Sequence, residues 1–512
     1  MKIIIKLIII SYVFLPLHFT CRADRLFIPM DSNGQTDHLK AYGVVYHALQ
    51  QGTITDWLLN YKGGSYCMEY SPQLASLCRT QHVTAQRISN AAYSNILGDV
   101  NRKGANMNMV QLKKPPRIAV YTPPSKEPWD DAVTLALTYA GIPFDKVYAG
   151  EVLHGALGHY DWLHLHHEDF TGQYGKFWAA FRAAAWYKRD KAQAEETARR
   201  NGYKKVWQMQ QAVVKRIRDF VNDGGNLFAM CTATDTYDIA LAADGVDICD
   251  TMFDGDQADS RVQQKLNYDA TFAFRDFAVY TDPLHLEFSS IDNTEYRAVP
   301  MIADSFDLVV PPARLDVVAA MLCQNHTTHI KGFMGMTTAF RKSVLKPDVM
   351  ILAAFDTMKE ARYIHGTHGR GSWTFYGGHD PEDYAHAVND TPTNLTYHPH
   401  SPGYRLILNN VLCPAADRQD VPTVHNTDTV AERPEQKQAI QLLPANNGDA
   451  ITIKMADKIT TVTISNIAGK VVVSKTGDSN SLTVDLKLLP AGVYLVAVNS
   501  VFAGRFIREG SR

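Results

Sequence analysis

Cysteine is scarce in this 512-residue sequence: seven residues, none in a Cys-x-x-Cys pair or at zinc-finger spacing, which excludes a structural zinc of that type. No Gly-x-x-x-x-Gly-Lys loop is present to cradle nucleotide phosphates, so ATP is not an expected partner. Charge of either sign is also lacking in excess. Lys and Arg number 51 against 53 Asp and Glu, a net charge of −2 without a basic stripe, and nucleic acid is excluded as a partner on that ground. Past the N-terminus no apolar run approaches the ~18 residues that a membrane span requires. What remains is a globular composition, 46% apolar and 10% aromatic, at a length that suggests about three domains.

Two lysines, Lys2 and Lys6, precede an apolar stretch over residues 7–17 and the exit Cys21-Arg22-Ala23. This pattern predicts a secretory signal peptide over residues 1–23, cleaved after Ala23, and an exported protein that passes through the periplasm to the cell surface or medium. Six cysteines then remain: Cys67, Cys78, Cys231, Cys249, Cys323 and Cys413. Cys67 and Cys78 are near enough in sequence to bridge in an oxidising compartment.

The most informative segment runs Gly224-Gly225-Asn226-Leu227-Phe228-Ala229-Met230-Cys231-Thr232-Ala233-Thr234-Asp235. A basic helix stops at the glycines, and a short apolar strand runs straight into a cysteine among small residues. Strand, sharp turn with a nucleophile, then helix is the geometry that lifts a thiol clear of a sheet. A second apolar strand, Trp373-Thr374-Phe375-Tyr376, runs into Gly377-Gly378-His379-Asp380-Pro381-Glu382. A thiol and an imidazole with carboxylates, each at the C-terminal end of a strand, are the parts of a Cys–His pair on the edge where open α/β sheets bind ligands. The plainer reading is that Cys231 is a small buried hydrophobe.

A third strand ends in Leu163-His164-Leu165-His166-His167-Glu168-Asp169. Alternation puts His164 and His166 on one face and His167 on the other. Three uses stay open for this cluster. His166, His167 and Glu168 can position substrate and stabilise an oxyanion; His164, His166, His167 and Glu168 are candidate ligands of a metal such as zinc; or the group is a polar network that only holds the loop. Apart from that metal, no cofactor is expected.

Along the chain, residues 24–112 read as an α/β unit. Residues 113–414 alternate strands (118–121, 144–148, 160–165, 227–230) with helices, which predicts an α/β domain built on a doubly wound, mostly parallel sheet. Insertions interrupt it at about residues 170–210 and 250–360. The acidic run at residues 254–259 lacks the glutamate that a calcium loop requires and reads as a solvated loop. Residues 361–364 and 372–376 form a hairpin, residues 415–440 a linker. Residues 441–512 carry short alternating strands between Gly and Asn turns, the pattern of a small antiparallel β-sandwich.

That tail, with Ile464-Ser465-Asn466-Ile467-Ala468-Gly469-Lys470-Val471, Leu489-Pro490-Ala491-Gly492-Val493-Tyr494 and Gly504-Arg505-Phe506-Ile507-Arg508, resembles the C-terminal sorting domain of the type IX secretion system. The resemblance implies that secretion machinery as a partner. The central domain resembles the class I glutamine-amidotransferase-like fold, a flavodoxin-like architecture, and within it the trehalose-utilisation-type branch. This implies Cys231 as nucleophile and His379 as general base. Ala229 and Ala233 stand where the family's elbow has glycine, and Pro381 where its acid sits, which moves the orienting role to Glu382. The Thr232 backbone N–H and the loop of His166, His167 and Glu168 would then face the substrate, with Asp380 beside them. Over most of its length the chain also resembles exported bacterial proteins labelled asparagine synthetase B, through His38-Leu39-Lys40-Ala41-Tyr42-Gly43, Trp57-Leu58-Leu59-Asn60-Tyr61, the histidine segment and Phe375-Tyr376-Gly377-Gly378-His379-Asp380. It has neither the cysteine after Met1 nor the Ser-Gly-Gly-x-Asp-Ser loop of the synthetase, so the synthetase reaction does not follow.

The expectation is an exported, glutaminase-like Cys–His hydrolase of an amide or related acyl bond, on a small-molecule, peptide or glycan substrate. Two rivals stand beside it: a non-catalytic surface protein that stacks glycans on Trp129, Trp162, Tyr174, Trp178 and Trp373, and a metal-dependent hydrolase.

Overall fold

Strands β6 (Ile118–Tyr121), β8 (Trp162–Leu165), β9 (Asn226–Met230) and β15 (Gly371–Tyr376) send successive side chains into two different cores. Val120, Trp162, Phe228, Met230 and Tyr376 enter one; Ala119, Tyr121, Leu163, Leu165, Ala229 and Phe375 enter the other. A strand buried on both faces reads as an unbroken apolar run, which is why these four were visible in the sequence. In the computed structural model the described residues are 24–123, 131–293, 301–355, 358–385, 387, 390–416, 441–445, 450–466, 471–490, 492–499 and 501–508. The expected signal peptide, Trp129 and nearly all of the expected linker lie outside them.

The N-terminal unit is a fully antiparallel sheet of β1 (Asp24–Ile28), β2 (Thr55–Leu59), β3 (Ser65–Glu69), β4 (Gln86–Ser89) and β5 (Asn108–Leu112), in the order β4-β1-β3-β2-β5. One face packs with the helices His38–Gln50, Ala132–Ala140 and Pro402–Leu412 into the first of the two cores. The other face, with Phe27, Leu58 and Cys67, packs on the helix Asn90–Asn101. This division separates Cys67 from Cys78, which belongs to the first core, and both are free thiols. Their closeness in sequence does not become a bridge, because the sheet lies between them.

The central sheet has ten strands. Besides β6, β8, β9 and β15 it contains β7 (Asp145–Val147), β10 (Ser305–Leu308), β11 (His329–Lys331), β12 (Phe340–Arg341), β13 (Met350–Phe355) and β14 (Glu360–His368). The order is β11-β10-β13-β14-β15-β9-β8-β6-β7, with β12 on β14. Only β7, β6, β8, β9 and β15 are mutually parallel; β10 to β14 pair antiparallel. The sheet is therefore mixed, a correction to the mostly parallel sheet expected. The segment read as an insertion over 250–360 supplies four of its strands, two to six residues long, too short to carry a period of two. Both faces are covered: the helices Ala149–Leu153, Val206–Asn222 and Thr232–Ala242 lie over the second core.

In the tail, β16 (Gln441–Ala445), β17 (Ala450–Asn466), β18 (Val471–Asp485), β19 (Gly492–Val498) and β20 (Val501–Arg508) form one antiparallel sheet rather than two separate ones. The 17-residue β17 pairs β16 near its start and β19 near its end, so hydrogen bonds run through what short strands would have left as two layers. Ile453, Ile459, Val462, Ile464 and Val496 form its core.

A close helix crossing ties the N-terminal unit to the central one. A Cβ on Gly43 would lie 1.7 Å from the Ala140 carbonyl oxygen. Alanine gains about 1 kcal/mol of helix propensity over glycine, but here it must drive two backbones apart, and overpacking of this kind costs about 1–3 kcal/mol. Gly43→Ala is therefore expected to lower the melting temperature, and an unchanged or raised midpoint would contradict the crossing. No helix among the described residues is long and apolar enough to cross a membrane.

Candidate functional site

The C-terminal ends of β8, β9 and β15 bring their following residues to one rim. Register fixes this: Leu165 pairs with Ala229, and Tyr376 with Met230. Past β8 the chain is tied to the helix Thr232–Ala242, because the His166 carbonyl accepts from the Ala233 N–H at 3.0 Å and the Glu168 carbonyl from Thr236 Oγ1 at 2.9 Å. His166, His167 and Glu168 are thus held over the helix that Cys231 opens.

Cys231 occupies the strand-to-helix junction with φ 51° and ψ −138°. A non-glycine residue there costs of order 1–3 kcal/mol, and such strain gathers at functional positions. Ala229 and Ala233, both fully buried, are small enough to allow the turn without glycine. The sulfur itself is sealed: Cys231 is 1% exposed. Burial pushes its thiol up to about 11, although the backbone N–H groups of Thr337, Met336 and Thr232 work in the opposite direction. Gly335 lies between the Cys231 thiol and the backbone at His379. A Cβ on it would be 3.1 Å from Cys231 Sγ and 2.9 Å from the His379 backbone nitrogen. Cys231 and His379 therefore flank one glycine, and the loop that carries it covers the sulfur. The His379 N–H donates to the Met334 carbonyl at 2.9 Å and the Gly378 N–H to that of Thr337 at 2.8 Å, fixing the loop.

Three imidazoles converge on this rim. The His379 ring lies 4.3 Å from that of His166 and 6.0 Å from that of His167, and His166 and His167 are 5.0 Å apart, centroid to centroid. One nitrogen of each lies within 4.8 Å of one nitrogen of the others. His166 and His379 are buried, while His167 is half-buried and forms the open side. Behind them sits Asp131, which caps the helix Ala132–Ala140 by accepting from the Val133 and Thr134 N–H groups. Its Oδ1 is 3.1 Å from His166 Nδ1 and 3.3 Å from His164 Nε2. Burial raises the Asp131 carboxyl, but the two imidazoles outweigh it and hold it well below the usual carboxylate range. His164 lies deeper, with Nδ1 3.1 Å from the Phe228 carbonyl, and burial lowers it despite Asp131. Glu168 is pushed up to about 8, by burial first and then by Asp131, Asp169 and Asp190.

The remaining candidates are engaged elsewhere. The Glu382 carboxylate is 3.1 Å from His398 Nδ1, and Asp380 accepts from the Tyr404 hydroxyl and the Glu382 N–H, both at 2.9 Å. The Thr232 N–H points at the Cys231 sulfur. Trp162 and Trp373 are core residues, 1% and 2% exposed, so neither offers a face to a glycan; Tyr174 and Trp178 are half-buried. In the acidic loop the Lys205 ammonium lies 3.2 Å from Asp254 and 2.6 Å from Asp256, the arrangement of a solvated loop rather than a calcium site. Asp131 and the Gly335–Thr337 loop were not legible. Nothing in the sequence near Asp131 points to the histidines, and nothing local ties a loop 100 residues downstream to Cys231.

Residues 443–503 match the secretion system C-terminal sorting domain. The tail is a type IX sorting domain. It makes the secretion machinery a partner of this chain and directs the chain to the cell surface or beyond. No curated protein matches the chain. Among solved structures it is similar to the Cytoplasmic Protein STM1381 from Salmonella typhimurium LT2, at 12% identity and a TM-score of 0.30, over 59% of this chain and 100% of that one. Cytoplasmic Protein STM3548 from Salmonella typhimurium gives 9% and 0.28 over 58% and 97%, and a beta-galactosidase from Bacillus circulans sp. alkalophilus gives 11% and 0.23 over 74% and 41%. At these TM-scores none of the three bears on what the chain does.

Proposed function

We propose that this exported chain is a hydrolase of an amide or related acyl bond, with its reactive site at the rim of β8, β9 and β15. The observation that carries the reading is the convergence of His166, His167 and His379, one of them oriented by a half-buried carboxylate, on the edge where α/β sheets take ligands. The parallel strands, taken in chain order as 2-1-3-4-5, support a flavodoxin-like, doubly wound ancestry, and the amide class comes from the resemblance to glutamine-amidotransferase-like domains. Since the Cys231 sulfur is sealed and its thiol is held at about 11, water activated at the imidazoles is the nucleophile in this reading. A thiol nucleophile is the second reading, favoured by the strained backbone at Cys231.

A panel of p-nitroanilides and p-nitrophenyl esters tests both. His379→Ala is expected to lower turnover about a hundredfold, the usual scale for a lost acid–base or activating group. Cys231→Ser separates the readings: retained turnover supports water, and a loss as deep as that of His379→Ala supports the thiol. Turnover unchanged in both variants would place the chemistry elsewhere.

A further inference from the structure

We propose that His166, His167 and His379 together hold a divalent transition-metal ion of the zinc class; the inference rests on the reading that this rim is the reactive site. The three donor nitrogens, within 4.8 Å of one another, compare with about 3.4 Å between imidazole nitrogens around a tetrahedral ion at ordinary Zn–N lengths. Modest ring rotations close that difference. The donor chemistry is all imidazole, which suits zinc and its neighbours and disfavours calcium or magnesium.

Two further observations point to a ligand rather than to ring packing. His166 is 1% exposed, and its Nε2 makes no hydrogen bond to any group among the described residues. A buried imidazole nitrogen in that state costs free energy unless something fills its lone pair. Its other nitrogen, Nδ1, faces Asp131 Oδ1 at 3.1 Å. A carboxylate behind an imidazole fixes the tautomer and aims the far nitrogen outward, the usual support of a metal-bound histidine. All three histidines lie within three residues of the ends of strands in one sheet, which gives them the rigid footing that a preorganised centre needs. Three protein ligands leave a position for water or substrate, and the half-buried His167 marks the open side.

Among the described residues, two other clusters of potential ligands serve different ends. In the group Asp131, His164 and His166, the carboxylate lies 3.3 Å and 3.1 Å from the two rings and serves to orient them. In the group Asp247, Cys249 and Asp254, the Asp254 carboxylate lies 3.2 Å from the Lys205 ammonium, which supplies positive charge already. When bound at the three histidines, the metal would supply Lewis acidity and a water acidified toward neutral pH. The chain's own residues hold it, with Asp131 setting the His166 ring.

The test uses the full chain stripped with chelator, dialysed, and titrated with zinc alone, then with cobalt(II) for its visible d–d spectrum. One equivalent per chain is expected, with a tetrahedral or five-coordinate cobalt spectrum. His167→Ala should weaken zinc at least tenfold and Asp131→Asn about 10–100-fold, while His329→Ala, at an exposed histidine paired with Asp307, should leave it unchanged. His167 is the least buried of the three, so that variant is the one expected to fold, and a thermal melt checks that it does. Absence of a bound equivalent in the wild type, or wild-type affinity in folded His167→Ala, overturns the inference and leaves the cluster as a packed polar network. Zinc bound without turnover on any amide or ester sinks the hydrolase and leaves the metal site. Turnover that survives stripping in a chain that then binds no zinc equivalent does the reverse.

Discussion

Arg362→Leu is expected to remove about 3–5 kcal/mol of stability, the cost of breaking a buried ion pair from one side. Arg362, Asp304 and Glu360 have fully buried side chains, with Arg362 Nη1 3.6 Å from Asp304 and 3.5 Å from Glu360. The guanidinium also lies 5.2 Å from the centre of the Phe306 ring and 5.7 Å from that of Phe333, and donates to the Phe333 carbonyl. Leucine would leave two buried carboxylates with their common cation gone. Chemical denaturation at constant m-value measures the loss, and a shift below about 1 kcal/mol would show that the network is not held by that cation. The same substitution reaches the rim. Phe333 leads into the Met334–Thr337 strap over Cys231, so iodoacetamide should label Cys231 faster in the variant than in the wild type. A triple variant, Asp304→Asn, Glu360→Gln and Arg362→Met, removes all three charges and should recover much of the stability, because only the unpaired charge is costly.

How far the sequence could be read follows from which interactions are local. The strand that leads into Cys231 and the one that leads into His379 are continuous apolar runs bounded by glycine, and their neighbourhood follows from parallel pairing. The junction at Cys231 was also legible: strand, small residue, nucleophile and small residue imply a sharp turn, and φ 51° is that turn. Pairings set by distant chain were not legible. Glu382 follows His379 by three residues, yet its carboxylate meets His398, while Asp380 is taken by Tyr404 on the helix Pro402–Leu412. The sealing of Cys231 depends on residues 335–337, in a region where short strands and loops carry no periodicity. Asp131, at the start of a helix, gave no sign in the sequence that it faces two histidines. Alternation separated His166 from His167 only while the strand lasted; past Leu165 the chain turns, and both rings come within reach of His379.

Acid is expected to undo the seam between the N-terminal unit and the central sheet well before a carboxylate-driven transition. His38 is buried there with Nε2 3.0 Å from the Met30 carbonyl and Nδ1 2.9 Å from His400 Nδ1, and its ring stacks on His326 at 4.4 Å. Only a hydrogen on Nε2 satisfies the carbonyl, so Nδ1 accepts and His400 donates. His326 Nδ1 lies 3.1 Å from Arg405 Nη1 and must accept as well. Arg405 also donates to the Tyr42 hydroxyl and to the Met30 and Gly63 carbonyls, and the nearby carboxylate of Asp37 is occupied by the Lys40 N–H and the Tyr139 hydroxyl. Both imidazoles are therefore held neutral: burial, then Arg405, lowers His38 to about 2 and His326 to about 4. A depressed histidine pKa means that the unfolded state binds the proton first, so this stability is complete above about 6.5 and falls as the pH drops toward the folded-state values. At pH 4 the loss amounts to about 3 kcal/mol for His38, and about 2 more for His326 after allowance for screening at its solvent side. His326→Gln keeps a neutral acceptor for Arg405 and removes one proton site. Its stability should fall less steeply between pH 7 and pH 4 than that of the wild type, and parallel curves for the two proteins would mean that protonation of His326 takes no part in the acid transition.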